Sequence, residues 1–392
     1  MSGAFLVLFT GLLLALNAFS NDITLPAFWS MERSFGVPIE EVQAIIPVFL
    51  FCSAFGQLFF GPASDAYGRR PVILVGVALY ITGAVIAVFS GSITTMLWGR
   101  ALQGFGSACG AVIARAILRD VHSGPELART MAFATSIISL GPIMAPMVGY
   151  GLVLLGDWQG IFVGMAFYGI MLAAMVVIRI EETNTSPDPT AIQPSRLLAS
   201  FARVFSNHQS RYFILLSGIN TFAILTYVAN APRLYRGAFG IEGAAFTSIF
   251  AVTGSGIVVG QYLNALLIAR LGVMAATRLA SSSLAIVAVL IALLTHTGTL
   301  SLISFAALML VYNAAFLVVM SNSVSLTIDP HREIAGFASS VFGFASQLTG
   351  GVLVYLTFPI FRGSMAAWSL GILAITLTVT AAVWLYRPRA DN

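Results

Sequence analysis

Residues 61–71 read GPASDAYGRRP and join two long apolar stretches, residues 42–62 and 72–91. Gly61 and Gly68 frame the charged part of this segment. Glycine has no side chain and tolerates positive φ, so both positions permit close packing and a tight turn. Apolar stretches of about 20 residues are long enough to cross a bilayer as helices. The segment therefore predicts a short polar turn between two antiparallel membrane-spanning helices.

The composition extends this interpretation to the whole chain. Hydrophobic residues make up 58% of the 392 positions, charged residues only 9%, and the mean hydropathy is +0.93. A soluble domain carries about 25% charged residues. The apolar stretches lack the alternation of polar and apolar residues that is typical of membrane barrels. We therefore predict an all-α membrane protein.

Apolar segments of spanning length recur twelve times along the sequence. The predicted spans are residues 5–27, 42–62, 72–91, 95–117, 130–155, 158–178, 212–231, 245–268, 278–296, 299–321, 335–358 and 365–386. The first segment has no basic region before it and is followed by further spans. We therefore interpret it as a helix and not as a cleaved signal peptide.

The basic residues predict the orientation. All 19 are arginine, and most lie in the loops on one side of the predicted membrane. The opposite loops contain only Arg33, Arg233, Arg236 and Arg362. Because basic loops stay on the cytoplasmic side, both termini are predicted to be cytoplasmic, in a bacterial inner membrane. The net charge of +4 then reflects topology and contact with anionic lipid, and no nucleic acid partner is expected.

A polar stretch divides the spans into two groups of six. Residues 181–210 contain the sequence EETNTSPDP, whose prolines and acids resist helix formation and apolar burial. We predict an N-terminal six-helix bundle over residues 1–180, a cytoplasmic linker over 181–210 and a C-terminal six-helix bundle over 211–392.

A faint repeat relates the two groups. Gly56-Gln57 and Gly68 recur as Gly260-Gln261 and Gly272, each shifted by 204 positions. Parallel repeats that surround a site near the middle of the membrane are typical of secondary transporters. The repeat thus predicts two pseudo-symmetric halves.

Asp22 and Arg100 are charges at membrane depth. Asp22 is the only acid between residues 4 and 28, and both residues lie roughly 7 to 8 Å inside the same predicted boundary. Arginine does not readily lose its proton, so Asp22 is its natural partner, and its proximity would tune the pKa of the acid. We predict a proton-coupling pair. A static ion pair, or an Asp22 that caps a helix near the headgroups, are the alternatives.

The segment 61–71 is similar to the signature loop of the major facilitator superfamily, G-x-L-A-D-R-x-G-R-K. It departs from that pattern at Ala63 and Ala66. The resemblance implies a fold of two pseudo-symmetric six-helix bundles and a loop that governs conformation. The alternative is an ordinary solvated cluster of charges. The residues with this predicted gating role are Gly61, Asp65, Gly68, Arg69 and Arg70.

Two further segments resemble motifs of drug antiporters in that superfamily. Residues 100–106 read RALQGFG and are similar to R-x-x-Q-G-x-G, in which the arginine is implicated in proton coupling. Residues 137–146 resemble G-x-x-x-G-P-x-x-G-G, with Ile137 in place of the first glycine and Ala145-Pro146 in place of the last two.

Together with NDITLPA at residues 21–27, these segments look most like the Bcr/CflA subgroup of drug:proton antiporters. Proline and glycine predict a helix that is bent and closely packed around Gly141, Pro142 and Pro146, to which we also assign a gating role. Such residues are also common in membrane helices with no bearing on transport direction.

Neutral residues at membrane depth are the candidates for a substrate cavity. Side chains of this kind also hydrogen-bond neighbouring helices, which is the alternative for each of them. The predicted lining residues are Asn21, Gln103, Met144, Asn220, Tyr227, Asn230, Tyr312, Asn313 and Gln347.

These observations predict a monomeric secondary transporter that exports lipophilic cationic or neutral small molecules in exchange for protons by alternating access. The chain contains no lysine and hence no ATP-binding P-loop, so the proton gradient is the expected energy source, without a metal or other cofactor. Cys52 and Cys109 are expected to pack as small apolar residues, and no catalytic motif suggests an enzyme. The alternatives are a proton-coupled importer of a small metabolite and a non-transporting receptor or scaffold.

Overall fold

The computed structural model describes residues 3–361 and 364–387, and within these ranges all regular secondary structure is helical. The predicted all-α class is therefore confirmed. The α-helices are α1 (Gly3–Asp22), α2 (Phe28–Phe35), α3 (Ile39–Gln43), α4 (Ile45–Tyr67), α5 (Arg69–Val88), α6 (Ile93–Val121), α7 (Gly124–Ser139), α8 (Gly141–Arg179), α9 (Pro194–Ser206), α10 (His208–Phe239), α11 (Gly243–Leu271), α12 (Val273–His296), α13 (Leu302–Ile328), α14 (Ala335–Phe361) and α15 (Met365–Leu385). Short 3-10 segments cover Leu25–Ala27, Pro189–Ile192 and Asp329–Ile334.

Eleven helical segments of the described chain are long and apolar enough to cross a membrane. One of them, α8, has 39 residues and is interrupted at Gly156 and Asp157, where Asp157 has φ 53°. The Asp157 carboxylate accepts a hydrogen bond of 2.7 Å from the backbone N–H of Trp158 and so caps the second arm. Because the two arms are separate crossings, the structure confirms the twelve predicted spans.

The chain alternates between two ends of the bundle. We call the end with the α4–α5 turn the Asp65 end, and the end with α2 and α3 the Glu40 end. The N-terminal half, α1–α8, and the C-terminal half, α10–α15, both begin and finish at the Asp65 end. Arg362, which was used to predict the orientation, lies outside the described residues.

The linker also lies at the Asp65 end. Residues 180–188 contain no helix, as their prolines and acids predict. The following residues form α9, whose Val204 is buried against Ala338 and Phe342 of α14. The linker is therefore packed against the C-terminal half and is not a free tether.

The repeat seen in the sequence has a structural counterpart. Gly68 and Gly272 have nearly the same backbone conformation, with φ 96° and 81°, and each begins a helix. The amide of Gln57 donates to the side chain of Gln347 across 2.9 Å, from the N-terminal to the C-terminal half. Gln261 in turn accepts from Ser139, in the opposite direction. Equivalent residues thus join the halves along both lateral seams.

Helix α6 packs unusually closely against its neighbours. A methyl group at Gly104 would come within 2.1 Å of the carbonyl oxygen of Phe49 in α4. One at Gly110 would come within 2.1 Å of the carbonyl oxygen of Leu13 in α1. Absence of a side chain at these two positions lets the backbones approach, as small residues do in membrane helix pairs. The approach brings α6 into the centre of the N-terminal half.

We expect Gly104→Ala to destabilise the protein, because the added methyl must push α4 away from α6, at a cost of about 1–3 kcal/mol. Gly151→Ala is the matched control, since a methyl group there would meet no atom within 4 Å. Thermal unfolding in detergent should show a lower Tm for Gly104→Ala than for Gly151→Ala. Equal Tm values would contradict the close approach of α4 and α6.

Candidate functional site

Arg100 lies in α6 and is completely buried. Its guanidinium group donates to the backbone oxygens of Ile45, at 3.4 Å, and Ser20, at 3.3 Å, and to the side chain of Gln103, at 3.2 Å. The guanidinium carbon lies 4.2 Å from the centroid of the Phe49 ring. Carbonyl dipoles, an amide and an aromatic face therefore stabilise the buried charge.

The predicted ion pair between Asp22 and Arg100 is not present in this structure. The Asp22 carboxylate accepts a hydrogen bond of 3.1 Å from the amide of Asn21, while the Nη2 atom of Arg100 is buried without a partner. The reason lies in the helix period. The side chain of Ser20 faces Tyr80, and a residue two positions later points about 200° away on the same helix. Arg100 consequently meets the backbone of α1 and not its carboxylate.

A buried polar layer beside Arg100 was missed in the sequence analysis. The amide of Asn17 donates to the hydroxyl oxygens of Ser53, at 2.6 Å, and Ser107, at 2.9 Å. Asn17 lies four residues before Asn21, so a helical period of polar residues in the first span was the available signal. These contacts tie α1 to α4 and α6 about two turns along α6 from Arg100.

The Gly-Pro segment lies at a seam between the halves. Helix α7 ends at Ser139 and α8 begins at Gly141, so the regular helix is interrupted at Leu140. A methyl group at Gly254 of α11 would lie 3.0 Å from Pro142. Pro146 is buried inside α8, whereas Met144 is 48% exposed. The structure thus places an irregular segment against the C-terminal half, and its gating role stays a prediction.

The predicted lining residues of the C-terminal half are buried, except for the half-buried Gln347, and most are bonded to neighbouring helices. The Tyr227 hydroxyl is within 3.0 Å of the hydroxyls of Tyr235 and Thr253, and the ring packs near Phe250 and Trp368. In this conformation Tyr227 is therefore part of the core of that half.

The remaining candidates divide into bonded and unbonded groups. The side-chain amides of three asparagines donate to backbone oxygens, namely Asn220 to Phe316, Asn230 to Thr226 and Asn313 to Thr253. The side chain of Gln347 accepts from Gln57. Three buried oxygen atoms have no partner, namely the Tyr312 hydroxyl and the amide oxygens of Asn21 and Asn313. These three atoms can still form a hydrogen bond with a ligand, whereas the polar atoms that bind neighbouring helices cannot do so without breaking those contacts.

The halves are held together at the Glu40 end. Arg233 and Glu40 form an ion pair of 2.7 Å, and the amide of Gln43 donates to the backbone oxygen of Ala229 across 2.8 Å. Trp29 also meets Phe246 edge to face, with ring centroids 5.3 Å apart. Each contact joins an N-terminal residue to a C-terminal one, so this end of the molecule is closed.

Two of the predicted gating residues, Asp65 and Arg69, belong to one network at the Asp65 end. The buried Arg69 side chain donates to Asp65, to the Ser64 hydroxyl at 2.8 Å and to Asp120 at 2.9 Å. Asp120, at the end of α6, was missed because no motif marks it. The network joins the α4–α5 turn to α6.

Glu182 of the linker caps helix α5 from outside that helix. Its carboxylate accepts the backbone N–H groups of Arg69, at 2.8 Å, and Arg70, at 2.9 Å. A methyl group at Gly68 would lie 2.6 Å from this carboxylate, so glycine is required there. Burial raises the pKa of Glu182, but the N–H groups of Asn184, Arg69 and Arg70 and the charge of Arg69 outweigh it, and the pKa lies below its ordinary value.

The halves leave cavities between them at the Asp65 end. One, of about 220 Å³, is lined by Gly61, Asp65 and Arg69 together with residues of α6, α13 and α14. The molecule thus combines a closed Glu40 end with space between the halves at the Asp65 end. This asymmetry is the arrangement expected of one state in alternating access.

Comparison with known proteins agrees with this architecture. Residues 10–354 match the family model described as Major Facilitator Superfamily. The chain is 25% identical to the "Bicyclomycin resistance protein homolog" of Haemophilus influenzae, over 88% of this chain and 87% of that one. It is 27% identical to the "Multidrug resistance protein MdtL" of Shewanella oneidensis, over 92% of this chain and 89% of that one.

A solved structure titled "Crystal structure of D-xylose-proton symporter" superimposes with a TM-score of 0.82 at 14% identity and covers 98% of both chains. At that identity the likeness concerns the fold alone. The family match covers most of the chain, and the twelve spans, the two halves and the α4–α5 turn agree with it. The chain therefore belongs to the major facilitator superfamily of membrane transporters.

Proposed function

We propose that this protein exports lipophilic cationic or neutral compounds across a bacterial inner membrane in exchange for protons. The observation that carries the proposal is Asp22, an acid in a membrane-spanning helix with no cation within ion-pair distance among the described residues. A charged carboxylate at membrane depth is unfavourable, and binding of a proton or a cation removes this cost. The names of the two relatives, which concern bicyclomycin and multidrug resistance, support export of drugs.

The orientation is part of the proposal. The arginine-rich loops lie at the Asp65 end, which we assign to the cytoplasm together with both termini. The closed Glu40 end then faces outward. In this state cargo enters from the cytoplasm through the space between the halves, and Asp22 lies on the closed side of that path.

The proposed coupling step involves the two charges at membrane depth, Asp22 and Arg100. We propose that Asp22 is protonated when the Glu40 end opens, and that it releases the proton toward the cytoplasm when the protein returns. The Nη2 atom of Arg100 has no partner and can donate a further hydrogen bond. A small shift of α1 against α6 that brought Asp22 to this donor would favour the ionised carboxylate and expel the proton. The proposed working unit is a monomer that needs the proton gradient and no bound cofactor.

Nothing in the structure or in the relatives' names points to import. A sugar–proton symporter shares the fold, so the architecture alone is compatible with either direction. Direction is therefore the decisive measurement for this proposal.

We expect Asp22→Asn to reach the membrane in normal amounts and to lose at least tenfold in gradient-driven transport, because asparagine keeps the shape but cannot carry the proton. Binding of a neutral cargo should survive better than binding of a cation. The control is Glu41→Gln, which removes an exposed acid. Flux in proteoliposomes with an imposed pH gradient measures the effect. Transport by Asp22→Asn at the rate of the unaltered protein would disprove the assignment.

Arg100→Lys should also impair coupling, by roughly tenfold or more. A lysine ammonium cannot reach two backbone oxygens and Gln103 with the geometry of the guanidinium fork, and it can lose its proton when buried. The pH dependence of the remaining transport should shift as well. Arg129→Lys, at an exposed position of α7, is the control. An unchanged pH profile in Arg100→Lys would show that this arginine does not tune Asp22.

The third expectation concerns direction and cargo. Overproduction in a bacterium that lacks its major efflux pumps should raise tolerance to several unrelated lipophilic compounds and lower their cellular content, and a protonophore should abolish both effects. Apolar contacts select for size and hydrophobicity more than for a pattern of hydrogen bonds, so discrimination should be weak. Accumulation of a labelled metabolite with unchanged tolerance would instead identify an importer.

A further inference from the structure

Two arginines on α6 face the cavity of about 220 Å³ at the Asp65 end. Arg115 and Arg119 are one helical turn apart, and Arg115 lies deeper in the bundle. Opposite them the cavity is lined by the first turns of α14, including Gly336 and Ser339. We call this space the Arg115 cavity. It lies between the halves and is separate from Arg100, which is on the same helix four turns away.

Neither guanidinium group is directly paired, although Asp120 and Asp65 lie near enough to attract the charge of Arg119. No residue in the described part of the chain forms a hydrogen bond or an ion pair with Arg115 or Arg119. The one acid that lines the cavity, Asp65, is already bound to Arg69. Three guanidinium groups and one carboxylate therefore face the cavity, and with Asp120, which pairs with Arg69, the cluster has a formal charge of +1.

This arrangement is unfavourable without a ligand. Like charges four residues apart on a helix repel one another. The cavity is flanked by apolar side chains such as Val112, Met131 and Ile328, so hydration of the half-buried Arg115 is restricted, whereas Arg119 is more exposed. An anion between them would remove both penalties, because the guanidinium fork matches the oxygens of a carboxylate or a phosphate.

The cavity also has partners on its opposite wall. A methyl group at Gly336 would lie 2.7 Å from Nη1 of Arg119, so the guanidinium rests against the start of α14. The Ser339 hydroxyl lines the same wall. An oxyanion held by the arginines of the N-terminal half would therefore also meet the C-terminal half.

Access is from the aqueous side at the Asp65 end. A second space of about 420 Å³ shares Asp65, Arg69 and Arg119 with the Arg115 cavity. Its walls include Asn184, Ser186 and Asp188 of the linker. Its other wall includes Glu333, and both Asp188 and Glu333 are paired with arginines. An entrance with polar walls is more accessible to a dissolved anion than to a lipid headgroup.

We propose that the Arg115 cavity binds an oxyanion, the phosphate or carboxylate group of a dissolved solute, between Arg115 and Arg119. The bound anion bridges α6 and α14 and thereby stabilises the conformation in which the halves are close together at this end. Binding at this site requires neither a direction of transport nor a particular cargo, so its failure would leave the export proposal intact.

The test is thermal unfolding of the full chain in detergent at fixed pH and ionic strength, with chloride replaced stepwise by inorganic phosphate. Ligand that binds only the folded protein raises Tm with the logarithm of its concentration. We expect a saturable onset and a rise on the order of 2 °C or more at tenfold-saturating phosphate. Arg115→Gln should abolish the rise and Arg119→Gln should reduce it, whereas Arg129→Gln, which removes an exposed arginine outside the cavity, should retain it.

The difference in Tm between Arg115→Gln and the unaltered protein should change sign between chloride and phosphate, which distinguishes loss of binding from destabilisation of the fold. In chloride alone, Arg115→Gln should unfold at the same or a higher temperature than the unaltered protein, because repulsion is relieved. In phosphate, it should unfold at a lower temperature. A second series measures Tm in nanodiscs without inorganic phosphate, with and without phosphatidylglycerol. If stabilisation that depends on Arg115 appears only in the nanodisc series, the bound phosphate belongs to a lipid. Absence of such stabilisation in both series, or equal stabilisation of Arg115→Gln, would overturn the proposal.

Discussion

A permanently charged guanidinium must be accommodated inside an apolar helical bundle, and the N-terminal half is organised around that constraint at Arg100. The charge needs carbonyl oxygens, and carbonyl oxygens are available only where helix backbones lie very close. Gly104, one turn beyond Arg100, removes the side chain that would keep α4 at a distance. The backbone of α4 then comes near enough for the oxygen of Ile45 to accept from Arg100, and Phe49 covers the face of the group.

The two halves meet in different ways at different levels. Ion pairs and an edge-to-face aromatic contact close the Glu40 end. Along the seams, the repeat-related residues Gln57 and Gln261 each bind a side chain of the opposite half. Polar contacts at equivalent positions on both seams are suited to serve as pivots, since a rocking motion changes their distances least. At the Asp65 end cavities lie between the halves, and the acids Asp65 and Asp120 are arranged around Arg69 within the N-terminal half.

The distribution of charge bears on the selection of cargo. Asp22 provides a negative group on the closed side of the proposed path, which favours cations and protons. The Arg115 cavity has the opposite sign at the proposed cytoplasmic entrance. A cationic cargo would be repelled there unless an anion occupied the cavity first, because two guanidinium groups without direct partners act over several ångströms in a partly enclosed space. An anion bound in the cavity is therefore physically compatible with the passage of a cation. The linker, which caps α5 through Glu182, lies beside the same entrance.

The sequence alone determined the class of the protein, its twelve spans and the resemblance of the α4–α5 turn to a superfamily motif, because hydropathy, glycine positions and local charge are properties of the chain itself. It also indicated that Gly68 and Gly272 are equivalent, which their shared backbone conformation bears out. Only the tertiary structure decided which atoms Arg100 binds, since the Ser20 and Ile45 oxygens become available through helix approach and not through residue type. It likewise showed Tyr227 in the core of its own half, because a neutral polar residue at membrane depth has the same hydropathy whether it faces a cavity or a neighbour. The cap at Glu182 and the unpaired state of Arg115 and Arg119 depend on contacts between residues far apart in the chain, which no local pattern records.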